Sequence, residues 1–132
     1  MSEHPNVPKI RSALEVYNSG DHDAMREHLA DDIVWHVGGT HEMSGDYEGA
    51  DAVVGYFRDV RKSTAGTLQV EPVEVLANDR YASILMHVTA HRDVRTLDVL
   101  VAEALTLDPE GRWKEYWALA KEQDAVDAFW SS

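Results

Sequence analysis

VLVAEALTL, residues 99–107, sets one glutamate in the middle of an otherwise apolar run. An aliphatic run of this length, bounded by turn residues, reads as a β-strand. A strand shows alternate residues to opposite faces. Val99, Val101, Glu103, Leu105 and Leu107 therefore share one face, and Leu100, Ala102, Ala104 and Thr106 share the other. Neither face is polar, so the carboxylate of Glu103 is not on the wet side of a half-buried strand.

Working outward, residues 68–76, 81–91, 96–107 and 113–120 all read as strands. Asn78-Asp79, Arg92-Asp93 and Asp108-Pro109-Glu110-Gly111 are the turns between them. The first half of the chain has a different period. From Pro8, a position where a first helical turn tolerates proline, Ile10, Leu14 and Tyr17 keep helical spacing as far as Asn18-Ser19-Gly20. Asp21 or Asp23 can cap a short second helix through DHDAMREHLA, residues 21–30. IVWHV, residues 33–37, is β-branched and aromatic and predicts a strand. The Gly-rich segment 38–49 reads as a long irregular connection, followed by a third helix over about residues 51–61 with Val53, Val54, Phe57 and Val60 inward. The tail DAVDAFW, residues 124–130, predicts one closing helical turn. Helices first and a four-strand meander after them make an α+β order. A long curved antiparallel sheet with helices on one face leaves a hollow between the layers, and the face carrying Glu103 can line it.

The 132 residues make one domain, 1–132. A chain of this length buries roughly two-thirds of its unfolded surface, enough for a core with a cavity inside it. Acidic residues number 24 against 12 basic, a formal charge of −12. That balance argues against nucleic acid or an anionic membrane as a partner, since both need concentrated Lys and Arg. With no cysteine there is no disulfide framework and no thiol nucleophile or ligand. The N-terminal MSEHPNVPKI lacks the apolar centre of a signal peptide, and a cytoplasmic location is expected.

YNSGDHDAMREHLADDIVWHV (residues 17–37), SGDYEGADAVVGYF (44–57) and LDPEGRWKEYW (107–117), in this order of elements, resemble the nuclear transport factor 2-like superfamily, in particular its SnoaL-like and ketosteroid isomerase-like members. The resemblance spans nearly the whole chain. It implies a cone-shaped curved antiparallel sheet with the N-terminal helices on its concave face, enclosing a deep apolar pocket, and a homodimer packed through the sheet. It also implies a role for Glu103, which falls where ketosteroid isomerases place the carboxylic acid of their oxyanion hole. On the same matching Met86, Val88 and Ala90 face the pocket, His87 and His91 lie outside, and Tyr116 and Ala118 line the far wall. Two positions depart from the isomerase pattern. Its catalytic tyrosine matches Ala13, and its general-base aspartate matches Val37, with His36 beside it. The pair Trp35-His36 is instead similar to the SnoaL-like branch.

A carboxylate in an apolar pocket is costly to desolvate, so its pKa rises. A neutral carboxyl can then donate to a developing oxyanion, or with a smaller shift serve as a general base. The competing reading is a Glu on an edge or dimer face, paired with Arg92 or Arg95. His36 can exchange a proton near neutral pH, but strict alternation sets it opposite Trp35 and Val37, and only a bulge or a slip reverses that. His41, in the Gly-rich loop, can swing over the pocket mouth. His87 and His91 lie about 13 Å apart on a strand, too far for one metal ion, and no HxH or HExxH spacing occurs, so no metal is expected. Nor is a cofactor: GxxxxGK and a GxGxxG after a strand are both missing. Trp113 and Trp117 share strand parity with Glu115 and are candidates for the dimer face. The expectation is a pocket enzyme doing acid–base chemistry on an apolar or aromatic small molecule. Glu103 and His36 are its candidate catalytic groups, and Tyr17, Trp35, Val37, Phe57, Met86, Val88 and Tyr116 its walls. The alternative is a non-catalytic binder of a small hydrophobic ligand.

Overall fold

The computed structural model describes residues 3–131. Helix α1, Asn6–Ser19, buries Val7, Ile10, Ala13 and Leu14, a stripe at helical spacing. It starts two residues before Pro8, whose missing N–H falls among those a first turn leaves unpaired in any case. Gly20 ends it at φ 80°, its N–H donating to the Tyr17 carbonyl, a left-handed cap that glycine adopts without strain. Asp21 caps α2, His22–Arg26, by accepting the Ala24 N–H at 3.0 Å. Helix α3, Ala50–Ser63, buries Ala50, Val53, Val54, Phe57 and Val60.

Six strands form one curved, unclosed sheet in the order β2-β1-β6-β5-β4-β3. They are β1 Leu29–Val37, β2 Gly45–Glu48, β3 Gln69–Ala77, β4 Tyr81–Arg92, β5 Arg95–Leu107 and β6 Trp113–Ala120. The meander β3 to β6 is antiparallel, as its short turns require, but β1 joins β6 in parallel. The helices cover the concave face, giving the α+β cone. Asn18 at the end of α1 holds the sheet edge as a strand residue would: its amide donates to the Val70 carbonyl at 2.8 Å and accepts the Val70 N–H at 2.9 Å. No helix among the described residues is long and apolar enough to cross a membrane.

Four expectations change. The second helix stops at Arg26 rather than running to residue 30, and Leu29 and Ala30 already belong to β1. Segment 38–49 is not irregular throughout, because Gly45–Glu48 pairs with β1, Trp35 opposite Tyr47 and His36 opposite Asp46. Its sequence, Gly-Asp-Tyr-Glu, carries no alternating apolar signal, and the pairing comes from the neighbouring strand. The tail forms a full helix, α4 Gln123–Trp130, rather than a single turn. Trp113 leaves the parity of Glu115 and Trp117. The register between β5 and β6 runs Thr106 opposite Glu115 but Leu107 opposite Trp113, so Lys114 is an extra residue. That bulge turns Trp113 into the core, 2% exposed, while Trp117 stays outside at 41%.

Candidate functional site

The inward faces of β4, β5 and β6 converge on a cavity of about 150 Å³ under α1 and α3. Its floor follows from register. Ile84, Glu103 and Ala118 lie abreast on neighbouring strands, so the inward parity that buries Ile84 also buries Glu103, 4% exposed. No arginine reaches the glutamate. Arg92 donates to the Phe129 and Ser131 carbonyls and to Glu42, and Arg95 to the same two carbonyls. What Glu103 meets is Tyr116, whose hydroxyl donates to Oε2, while Oε1 is buried with no partner. Burial pushes the carboxyl pKa up to about 8, and the Tyr116 hydrogen bond opposes that only in part. Burial also raises the Tyr116, Tyr17 and Tyr56 phenols, each further raised by the nearby Glu103 charge. All three stay protonated as donors at neutral pH.

The rings above this acid form a wall. Trp35 stacks on Tyr116, centroids 3.6 Å apart and planes 8° apart, and on Trp113 at 5.9 Å and 11°. The parallel pairing of β1 with β6 sets this up, since Trp35 stands directly beside Tyr116. Tyr17, Trp35, Val37, Met86, Val88, Glu103 and Tyr116 all line the cavity. Phe57 does not: it lies behind the wall, edge-on to Trp35 at 5.0 Å and to Tyr17 at 5.1 Å. Its neighbour Tyr56, about a quarter turn from the stripe read in the sequence, reaches the cavity instead, together with Val60 of the same helix.

His36 borders the cavity, but its ring is not brought to Glu103. Its ring lies on the convex face, Nδ1 2.6 Å from Asp46 and Nε2 2.7 Å from Glu115, against Trp117 at 5.8 Å between centroids. Strand alternation holds from Val34 to Val37, with no bulge to reverse it. The hydrogen bonds to Glu115 and Asp46 raise its pKa. His87 lies on the same face, against Asp98. Among the described residues no group of three or more His, Cys, Asp or Glu is placed to hold a metal ion. His41, the loop histidine read as able to swing over the pocket mouth, is a wall residue of the cavity, and the sequence did not mark Gln123, Val126 and Trp130 on α4, which join it there. The tail's apolar spacing is the one trace of them.

Residues 10–131 match the SnoaL-like domain. An uncharacterised protein of Mycobacterium tuberculosis is 26% identical over 136 residues, covering 99% of this chain and all of its own. Bal32a, from a soil-derived mobile gene cassette, superposes with a TM-score of 0.89 at 26% identity over 95% of both chains. The epoxide hydrolase/cyclase-like enzyme SalBIII, described in pyran ring formation in the polyether salinomycin, shares the fold at a TM-score of 0.71 and 16% identity, over 87% of this chain and 89% of its own. Sequence match and architecture agree: the chain belongs to the SnoaL-like family and has the fold of nuclear transport factor 2-like proteins.

Proposed function

We propose that this chain is a small-molecule enzyme working by acid–base chemistry on an apolar or aromatic substrate, of the isomerase, cyclase, dehydratase or epoxide-opening kind. The observation that carries the reading is Glu103, a buried carboxyl at the cavity floor with Oε2 taken by Tyr116 and Oε1 free. With its pKa at about 8, the group is mostly neutral at pH 7. Tyr116 occupies Oε2, so the carboxyl proton belongs on Oε1, facing the substrate. There it donates to a carbonyl, ether or epoxide oxygen as negative charge builds on that atom. One such donor in a water-poor site contributes about 10²- to 10³-fold in rate. In an intramolecular epoxide opening, Glu103 gives its proton to the epoxide oxygen and recovers one from the attacking hydroxyl. The fold is one that an epoxide hydrolase/cyclase-like enzyme also uses. His36, tied to two carboxylates on the outer face, has no part in this scheme.

A second reading has one observation in its favour: among the described residues Glu103 is the only carboxyl lining the cavity. A non-catalytic binder of a hydrophobic ligand needs no second titrating group. The two readings part at turnover. Carbon-detected NMR titration of Glu103, with Glu103→Gln for assignment, is expected to give a pKa near 8. Styrene oxide and an epoxy-alcohol that can cyclise are then offered to both proteins. Ring opening lost in Glu103→Gln supports the enzyme. No turnover by the wild type with an elevated pKa supports the binder, and a pKa near 4.5 overturns both uses of the glutamate.

The same proposal includes a homodimer through the convex face, where Leu119 is 73% exposed, Leu76 59%, Trp117 41% and Leu85 37%. Leu85, Ala102 and Leu119 lie abreast across β4, β5 and β6, a continuous apolar row of the kind isolated chains rarely leave in water. A cytoplasmic setting and the exclusion of nucleic acid and membrane partners rest on the acidic, cysteine-free composition.

A further inference from the structure

Two of the residues that line the cavity, His41 and Glu103, each carry a buried side-chain polar atom without a hydrogen-bond partner among the described residues. His41 sits in the loop between β1 and β2, its side chain 1% exposed. Its Nδ1 accepts the Met43 N–H at 3.1 Å. A backbone N–H can donate only to an unprotonated ring nitrogen, so the proton of the neutral imidazole is on Nε2. Among the described residues that buried Nε2–H meets no acceptor in good hydrogen-bond geometry, although the Gly38 carbonyl acts weakly on the ring. The carboxylate of Asp127 is 4.0 Å away, beyond hydrogen-bond reach, and its Oδ1 already accepts the Thr40 N–H at 3.0 Å and the Gln123 amide at 3.1 Å.

The ring is fixed rather than free to turn away. Ser44 Oγ accepts the His41 N–H at 3.0 Å and donates to the Gly38 carbonyl at 3.0 Å, and Tyr47 donates to the Met43 carbonyl at 2.8 Å. Folded proteins seldom leave a buried donor unmatched, and His41 is one of the residues that line the cavity. Among the described residues Glu103 Oε1 is the other fully buried side-chain polar atom on the cavity wall without a partner, and the Tyr17 and Tyr56 hydroxyls, both close enough to feel its charge, add donors at the same end. His41 lies beside Gln123 and Trp130 of α4, beyond the end of β6 at Ala120. Ala120 pairs with Val101, two residues along β5 from Glu103, about 7 Å at the rise of a strand. The space between is walled mostly by aromatic and aliphatic side chains, and among the described residues no Lys or Arg lines it.

We propose that His41 Nε2–H and the Glu103 carboxyl are the two ends of one binding site, and that its ligand is an uncharged, ring-sized apolar molecule with a hydrogen-bond-accepting oxygen at each end. The inference rests on the reading of Glu103 as a neutral acid. A donor at the His41 end, with the carboxyl and the Tyr17 and Tyr56 hydroxyls at the Glu103 end, matches a ketone with a distal ether, ester or second carbonyl. They do not match a carboxylate or phosphate, which would need a cation, nor an amine, which would need an acceptor.

Three probes of similar shape separate the two ends: tetralin with no oxygen, 1-tetralone with one, and 6-methoxy-1-tetralone with a second at the opposite end. Dissociation constants are measured by calorimetry for the wild type and His41→Phe. In the wild type the methoxy ketone is expected to bind about tenfold tighter than 1-tetralone, the worth of one good hydrogen bond. In His41→Phe that ratio is expected to fall to about one. A wild type that does not prefer the methoxy ketone, or a variant that keeps the preference, overturns the role of His41. A wild type in which neither ketone outbinds tetralin overturns the reading of Glu103, and the inference falls with it. A two-bond ¹H–¹⁵N spectrum of the wild type gives a check independent of any variant. The Nε2–H tautomer of His41 is expected, and the Nδ1–H tautomer overturns the proposal.

Discussion

Moving Glu103 out of water into a site walled by tyrosines and a tryptophan penalises only its charged form, and this couples the residue to the stability of the whole fold. The folded pKa of about 8 lies above the 4.5 of a free side chain. Below pH 4.5 both folded and unfolded states hold the proton, and nothing is lost. As pH rises from there to about 8 the unfolded chain ionises while the folded one does not. Stability therefore falls, by about 1.4 kcal/mol per pH unit. Urea unfolding of wild type and Glu103→Gln at pH 5 and pH 8 is expected to show the variant gaining on the wild type as pH rises. A constant difference between them would mean an ordinary, solvated carboxyl. At this scale the sequence was legible where alternation was unbroken. The parity of residues 99–107 placed Glu103 inward with the buried Val99, Leu105 and Leu107, and that of 33–37 set His36 opposite Trp35. It was not legible at Trp113, because one extra residue in β6 reverses the parity and nothing in Trp-Lys-Glu-Tyr announces it. Tyr56 was passed over for a similar reason: adjacent positions on one helix, 56 and 57, face different compartments.

At the scale of elements, the side of the cavity carrying His41 is built by two pieces that local pattern barely showed, the loop 38–44 and α4. They are joined where the chain comes closest. Gly39, at φ 86°, faces the Asp127 carboxylate and the Gln123 amide so closely that a Cβ would collide with both. The neighbouring Thr40 N–H donates to Asp127 at 3.0 Å. Arg92 of β4 adds a second fastening, pairing with Glu42 of the loop at 2.7 Å and donating to the Phe129 carbonyl of α4 at 3.0 Å. Gly39→Ala brings both a disfavoured backbone angle and that collision. It is expected to lose about 1–3 kcal/mol of stability and to speed amide exchange in α4 ahead of the sheet, as hydrogen-exchange NMR would show. Loss of stability with α4 still protected would mean that the loop alone gives way. Such long-range joints are invisible in a single sequence, because Gly39 and Asp127 carry no mutual pattern, whereas the capped helices and the meander were legible from spacing and turn residues.

For the whole molecule, the curved sheet divides its residues into two unlike surfaces. The concave one holds the cavity; the convex one carries His36 and His87 with their carboxylate partners beside the row Leu85, Ala102 and Leu119. A charge set into that row should cost little in a free chain, where Leu119 is 73% exposed, and much in a dimer that covers it. Leu119→Glu is expected to turn a dimer into a folded monomer in analytical ultracentrifugation, with circular dichroism unchanged. A wild type that is monomeric would remove the dimer from the proposal. The sheet also leaves an optical signature. Trp113, Trp35 and Tyr116 form a run of near-parallel rings from two strands, close enough for their ultraviolet transitions to couple as an exciton rather than absorb separately. Because the same rings line the cavity, a guest that shifts any of them detunes that coupling, so the protein carries its own label-free reporter of occupancy, readable before any substrate is known.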